Sequence, residues 1–340
     1  MSCINNYTMV DLFCGAGIGA VGFKQAGYNI IDAIDNKDYA VKTYNLNIGN
    51  HARIADIKEL DSNNMPYADV YTGGFPCTPF SVAGKRNGVE DEEKGDLGWH
   101  FLRLVSEKQP KVFVLENVKG LISKKNISFF NSLISAFEES GYKVNWKLIN
   151  MYDYGIPQMR ERVIAVGVRN DLHKEFVFPD PLPETSRKNL FDAIGDLPEK
   201  PDGINNHKGY GIRKDEKPYI DKILDGGNWK DLPEQDQKDF MKGSYYCGGG
   251  RTGYLRKMRM DKPALTITSN MNGKFNAQII DRGGEARRFT VRECLRIQSV
   301  PDWFKFPEDI SLQKQYERCS GIPSQFTYLL GNKIKEMLDS

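Results

Sequence analysis

Long apolar runs, paired cysteines and a strong net charge are all missing from this chain of 340 residues. No stretch approaches the roughly 20 apolar residues of a membrane span, and the start, MSCINNYTMVDLF, has no basic region followed by a long apolar segment. A cytoplasmic protein without a membrane partner is expected. The six cysteines (Cys3, Cys14, Cys77, Cys247, Cys294 and Cys319) form no CxxC pair, so neither a structural zinc site nor a disulfide framework is suggested and reduced thiols are expected. No metal site is expected. Net charge is only +2, too small to announce a nucleic-acid partner by itself. No internal repeat or low-complexity tract occurs. With 40% hydrophobic and 27% charged residues, the chain suits a large domain plus a smaller one.

The first half alternates short apolar runs with helical patterns, as a parallel α/β sheet would. Met9 to Phe13 reads as a strand, Gly15 to Gly19 as a tight turn and Gly19 to Ala26 as a helix closed by Gly27. Ile30 to Ile34, Asp69 to Thr72 and Lys111 to Leu115 read as further strands, and the run VIAVGV at 163–168 suits a central one. Residues 126–140 place Ile127, Phe129, Phe130, Leu133, Ile134 and Phe137 on one helical face expected to be buried. From Phe178 the texture turns proline-rich and then polar and weakly periodic, which marks a linker and a second, irregular domain. Thr290 and Glu293 fit a capping box that opens a helix.

Several segments carry chemical meaning. GGFPCTPFS at 73–81 places Cys77 where a strand gives way to a loop stiffened by two prolines, a good place to hold a nucleophile still. Taken alone, such a cysteine also reads as a small buried hydrophobe. DLFCGAGIGAVGF at 11–23 is a strand, a glycine turn and a helix start, and Asp35 lies 18 residues after Gly17, close to the spacing of a carboxylate that accepts from ribose hydroxyls. A methyl donor and a dinucleotide both fit that pattern. Glu116, in the ENV triplet, follows a buried strand at the edge where α/β ligands bind. Arg160 and Arg162 alternate in QMRER, hence share one face of an extended segment. As isolated features, Glu116 and the arginine pair also read as surface ion pairs. Residues 241–262 carry six basic groups (Lys242, Arg251, Arg256, Lys257, Arg259 and Lys262) against Asp261 alone, a stretch that fits phosphate neutralisation or a solvated basic face.

Taken in order, DLFCGAGIG, GFPCTPFS, ENV, QMRER and FTVRECLRIQSVP (289–301) resemble the motifs of the DNA cytosine-5 methyltransferases. The likeness spans roughly residues 9–169 and 260–323. It implies a Rossmann-like α/β domain dependent on S-adenosylmethionine, with a smaller irregular target-recognition domain. The expected division is a catalytic and cofactor-binding domain over 1–180, target recognition over 181–308 and a C-terminal segment over 309–340 that returns to the first. Cys77 matches the nucleophile that adds to carbon 6 of cytosine, Glu116 the acid at ring nitrogen 3, and Arg162, with Arg160 beside it, the group at the base carbonyl. The target base must be flipped to reach them.

For the cofactor, the resemblance implies Phe13 against adenine, Gly15 and Gly17 along the methionine part, Asp35 on the ribose and Asp56 at the adenine amine. Ala16, Asn36, Ile57 and Pro76 complete the set. Residues 82–98, with four glycines and many charges, suit the mobile loop that follows the nucleophile in this family. Ser81, Lys85 and Arg86, together with Arg251, Arg256, Lys257 and Arg259, are the expected contacts to double-stranded DNA. The chain departs from the family at its last block, where no asparagine precedes the Ile322-Pro323 pair and Ser320 is the expected replacement, and at Thr78 after the nucleophile. Expected partners are duplex DNA and, in a prokaryotic or phage-encoded restriction-modification setting, a cognate endonuclease; a monomer is expected. The alternatives are a transfer RNA cytosine-5 methyltransferase of the same fold, a catalytically silent DNA-binding homologue and a nicotinamide dehydrogenase.

Overall fold

Apolar runs that follow one another through the first half of the chain become neighbours in one sheet. The computed structural model describes residues 6–76, 92–199, 203–246, 253–274 and 278–340. In chain order they form β1 (Thr8–Leu12), α1 (Ile18–Gln25), β2 (Asn29–Asp35), α2 (Asp38–Asn47), β3 (Ala52–Ile54), β4 (Val70–Gly73), α3 (Glu92–Lys108) and β5 (Val112–Val118). Next come α4 (Ile127–Glu139), β6 (Tyr142–Asn150), the two-residue β7 (Gln158–Met159) and β8 (Glu161–Arg169). The seven-stranded sheet has the order β3-β2-β1-β4-β5-β8-β6. Strands β1 to β5 pair in parallel, whereas β8 is antiparallel to both β5 and β6. The expected all-parallel sheet therefore stops at β5, because the chain between β6 and β8 is too short for a helical crossover.

Two boundaries differ from the sequence expectation. Strand β5 does not end before Glu116; its pairing with β8 continues until Val118 faces Arg162. Helix α3 begins at Glu92, so residues 92–98 of the expected loop are helical, while 82–91 lie outside the described residues. Helix α4 buries four of the six predicted positions, Phe130, Leu133, Ile134 and Phe137, while Ile127 and Phe129 in its first turn are half-buried. Its Phe137 stacks on Phe113 of β5 at 4.2 Å, and Phe101 of α3 meets Phe113 edge-on at 6.2 Å. These rings cover one side of the sheet.

The other side is closed by α1 against the C-terminal helix Ser324–Asp339. Their backbones approach so closely that a Cβ on Gly22 would lie 2.0 Å from the Ser324 carbonyl oxygen and 2.1 Å from Thr327 Oγ1. Thr327 Oγ1 donates to the Gly19 carbonyl at 2.8 Å. Gly22→Ala must push the two helices apart, and overpacking of this kind costs about 3 kcal/mol or more when the obstacle is backbone. Urea denaturation should register that loss; an unchanged midpoint would mean that the helices part freely.

The chain forms two compact units. The first comprises Met1–Tyr154, Arg160–Pro183 and Gly321–Ser340, the second Gly155–Met159 and Glu184–Ser320. The return to the first unit thus falls after Ser320, where 308/309 was expected. The reason is local: Tyr316 of the helix Leu312–Glu317 is fully buried, and its hydroxyl donates to the Phe289 carbonyl at 2.6 Å. The second unit is built from short elements around Trp229, Leu255 and Ile279. Its Ala264–Leu265 strand pairs with β7, and Arg256–Lys257, Gln278–Ile280 and Arg287–Arg288 make a small sheet. The predicted capping box at Thr290 and Glu293 is present in full.

Candidate active site

Where the sheet order reverses between β1 and β4, the connections leave in opposite directions and open a crevice at the carboxyl ends of the strands, the usual place for a ligand in this architecture. The sequence candidates gather there. Phe13 to Gly17 follow β1, Asp35 ends β2, Gly74 to Pro76 follow β4, and Glu116 lies near the end of β5. Gly73 and Leu115 are register partners, so the segment that leads to Cys77 leaves the sheet alongside Glu116. A Cβ on Gly74 would sit 3.2 Å from Glu116 Oε2. Asn117 Nδ2 donates to the Phe75 carbonyl at 3.3 Å, tying the ENV triplet to the backbone two residues before the cysteine. Cys77 itself, with Thr78, Ser81, Lys85, Arg86 and Arg251, lies outside the described residues.

Glu116 and Arg162 meet across the β5/β8 ladder, with Arg162 Nε 2.9 Å from Glu116 Oε1. Among the described residues that buried oxygen has no aligned hydrogen bond, so the pair is held by charge. Arg162 Nη1 also donates to the Glu161 carbonyl at 2.7 Å. Arg160 is buried, and its backbone N–H donates to Asn150 Oδ1 at 3.3 Å. Burial pushes the Arg160 guanidinium well below its ordinary value, Arg162 adds to this and Glu116 opposes it. Burial likewise lowers Arg162, against the pull of Glu116. Guanidinium groups keep their proton nonetheless. The expression of these shifts is a site that favours negative charge.

The glycine turn is strained and oriented. Phe13 has φ 57, Gly15 φ 55 and Gly17 φ 90, a region costly for the non-glycine Phe13. Asp35 is buried; its Oδ2 accepts the Gly15 N–H and its Oδ1 the Lys37 N–H, both at 3.0 Å. A Cβ on Gly15 would meet nothing within 4 Å, whereas one on Gly17 would meet Ile48 at 2.8 Å and Tyr44 at 3.0 Å. Gly15 therefore borders open space, and Gly17 serves the packing of the turn. Phe13 meets Phe75 edge-on at 6.4 Å. Ala16 and Ile57 are buried, Asn36, Asp56 and Pro76 are exposed, and Asp56 Oδ1 accepts the Lys58 N–H at 3.0 Å. An open glycine flank beside an oriented carboxylate and an aromatic face fits an adenosine-containing methyl donor. Ser320 Oγ donates to the Glu317 carbonyl at 3.3 Å.

Sequence reasoning missed Asp11 and Gln158. Asp11 accepts a hydrogen bond from its register partner Thr72 at 2.7 Å. Burial raises its carboxyl from 3.8 to about 7, the Thr72 hydroxyl opposes this and Asp35 adds to it. An acid raised in the folded state binds a proton that the unfolded chain has released, so stability falls as pH rises from about 4 to about 7 and is level above. Asp11→Asn should remove that slope and gain roughly 2–4 kcal/mol at pH 8. Urea midpoints at pH 5 and pH 8 test it; a wild-type slope in the variant would clear Asp11.

Gln158 is fully buried. Its Oε1 accepts the Ile267 N–H at 2.8 Å, its Nε2 donates to Gln298 Oε1 at 2.8 Å, and Gln298 Nε2 donates to the Cys319 carbonyl at 2.7 Å. Only the amide at the head of QMRER hinted at this.

The basic stretch is less available than its composition suggests. Lys257 Nζ lies 3.2 Å from Asp281 and 3.5 Å from Asp225, with 11% of its side chain exposed. Arg259 makes two hydrogen bonds to Asp261, at 2.8 and 2.5 Å. Lys257→Met should cost about 1–2 kcal/mol of stability and leave the salt dependence of DNA binding unchanged. A flattened salt slope would return Lys257 to a phosphate role. Among the described residues no helix is long and apolar enough to cross a membrane, and no cluster of His, Cys, Asp and Glu could hold a metal.

Comparison with known proteins agrees with this geometry. The profile of the C-5 cytosine-specific DNA methylases matches residues 7–336. The Type II methyltransferase M.PspPI of Psychrobacter sp. is 35% identical over 98% of this chain and 80% of its own length. The Type II methyltransferase M.FnuDI of Fusobacterium nucleatum is 34% identical over 97% of this chain and 94% of its own. Among solved structures, the S. pombe Dnmt2 methyltransferase superposes with a TM-score of 0.68 at 16% identity, covering 97% of this chain and 99% of that one, a likeness of fold.

Proposed function

The chain belongs to the C-5 cytosine-specific DNA methylase family and is a DNA methyltransferase, and on that premise we propose that its methyl donor is S-adenosylmethionine, its nucleophile Cys77 and its charge-handling groups Glu116, Arg160 and Arg162. The observation that carries this reading is the Glu116–Arg162 pair at 2.9 Å, next to the strand end that leads to the cysteine. Carbon 5 of cytosine is a poor nucleophile. Addition of the Cys77 thiolate to carbon 6 moves an electron pair onto carbon 5, which turns the ring into an enamine. The donor supplies a sulfonium methyl for that pair to attack. Glu116 hydrogen-bonds ring nitrogen 3 and the exocyclic amine, relieving the negative charge that the thiolate brings. Arg162 turns its fork to the base carbonyl, with Arg160 holding positive charge behind it. Release of the carbon 5 proton then expels the thiolate and restores the ring.

Gly15, Asp35 and Phe13 would hold the donor: the glycine flank admits it, the Asp35 lone pairs accept from ribose hydroxyls and the phenyl ring stacks on adenine. Asp56 is proposed to complete that site. The target cytosine is flipped out of the duplex. The first unit is proposed to carry the chemistry and the second to select the DNA sequence, with Ser81, Lys85, Arg86 and Arg251 at the phosphates. The enzyme is further proposed to be a cytoplasmic monomer that works beside a cognate restriction endonuclease. The test is transfer of labelled methyl from S-adenosylmethionine to duplex DNA and, in parallel, to transfer RNA, with the methylated position mapped by bisulfite sequencing. Label in duplex DNA at carbon 5 of cytosine is expected; label confined to transfer RNA would overturn the reading.

A further inference from the structure

The second unit contains a cavity of about 210 Å³ walled by Met159, Leu265, Thr266, Thr268, Gln278 and Arg256. It is smaller than the roughly 300–1,000 Å³ that swallows a whole small ligand, so it is fitted to an edge or a substituent of something larger. We infer that this cavity reads a guanine edge of the recognition sequence, with Arg256 donating to the side-by-side acceptors O6 and N7; the inference rests on the DNA methyltransferase reading and names the residue that gives it sequence preference.

Three observations point to a base edge. The wall is fixed before DNA arrives. Gln278 Oε1 accepts the Leu265 N–H at 2.9 Å, and its Nε2 donates to the Leu265 and Thr266 carbonyls at 3.3 and 3.2 Å. Thr266 Oγ1 donates to the Met159 carbonyl at 2.9 Å, and the neighbouring Ile267 N–H is held by Gln158. A preformed wall of this kind pays no ordering cost on binding. Next, among the described residues Thr268 Oγ1 is buried and has no hydrogen-bond partner, which leaves a polar group at the cavity wall for a ligand or water to complete. Last, Met159 and Leu265 bring apolar surface to the same cavity. A phosphate oxygen beside them would lose water without recompense, whereas the carbon frame of a purine is at home there. The planar guanidinium fork matches guanine O6 and N7, the commonest specific contact in the major groove.

The division within the basic stretch follows. Lys257 and Arg259 pair with Asp281, Asp225 and Asp261. Arg256 lines the cavity, where burial lowers its guanidinium.

The experiment measures methylation by the full chain on a duplex library randomised around cytosine, read by bisulfite sequencing, with DNA affinity over a salt series. Wild-type methylation establishes the sequence preference; if wild type leaves duplex DNA unmethylated, the DNA methyltransferase reading itself fails, before any variant is compared. Glutamine pairs with adenine N6 and N7 rather than guanine. Arg256→Gln should therefore lower discrimination at one guanine position roughly 10- to 100-fold, with adenine gaining most, and keep the wild-type salt slope. Thr268→Val, which removes only the hydroxyl, should relax the same position. A uniform loss over all sequences with a salt slope smaller by about one would make Arg256 a phosphate ligand and overturn the inference. Unchanged preference at every position would overturn it too. Should Arg256→Gln not fold, Thr268→Val decides alone: relaxation at a guanine supports the cavity, and full retention of preference removes it.

Discussion

Duplex DNA carrying 5-fluorocytosine at the target position is expected to leave the protein covalently bound, in a complex that survives denaturation and forms only when S-adenosylmethionine is present. In the proposed mechanism the thiolate of Cys77 adds to carbon 6, carbon 5 accepts the methyl group, and fluorine then occupies the place of the proton whose removal would expel the sulfur. The S–C6 bond therefore persists. Cys77→Ala should form no such complex and turn over no unmodified DNA, an effect limited only by assay sensitivity, because the proposed route opens with addition of that thiolate. Backbone geometry supports the assignment. A Cβ on Gly74 would sit 3.2 Å from Glu116 Oε2, and Asn117 Nδ2 holds the Phe75 carbonyl, so the described segment up to Pro76 leaves β4 alongside Glu116. An adduct that forms equally well with Cys77→Ala would move the nucleophile elsewhere and with it the whole mechanism.

Much of this site was legible because its parts are local. A strand, a glycine turn and an acid 18 residues further on can be read in order, and β1, the Gly15–Gly17 turn and Asp35 fall where that pattern requires. The capping box at Thr290 and Glu293 is local for the same reason. The rest depends on distance in sequence. Glu116 and Arg162 stand 46 residues apart, and only the antiparallel register of β5 and β8 brings them together. The parallel reading of the first half could not foresee that register. Lys257 looked like a phosphate ligand because its carboxylate partners, Asp225 and Asp281, lie 32 and 24 residues away. Gln158 and Gln298 are separated by 140 residues, and an amide pair has no periodicity to betray it. Gly17 shows a subtler limit: the missing side chain that suggested a ligand is also required by the packing of Tyr44 and Ile48.

Glu116→Gln should slow methyl transfer by roughly 10²-fold or more, the scale of acid–base assistance. The substitution keeps the shape of the side chain and some hydrogen bonding but removes the group that relieves charge at nitrogen 3. It also withdraws the one carboxylate that opposes the burial of the Arg160 and Arg162 charges. Loss of one partner from a buried pair costs about 3–5 kcal/mol; here Glu116 keeps 20% and Arg162 12% of its side chain exposed, so a smaller destabilisation is expected. The two effects separate by measurement. A stability loss alone would be recovered at low temperature or saturating cofactor, since anything that binds the folded state shifts the equilibrium back, whereas a catalytic loss would persist in single-turnover experiments on fully folded protein. Donor affinity should change little, because Gly15, Asp35 and Phe13 do not touch the pair through any hydrogen bond or ion pair described here. Arg162→Lys offers the complementary cut: it keeps a positive charge near Glu116 but loses the planar fork that a base carbonyl and a carboxylate can share. It should therefore slow transfer while disturbing stability less than Glu116→Gln does. Single-turnover rates of Glu116→Gln within a few fold of wild type would remove Glu116 from the chemistry and leave the pair a structural one.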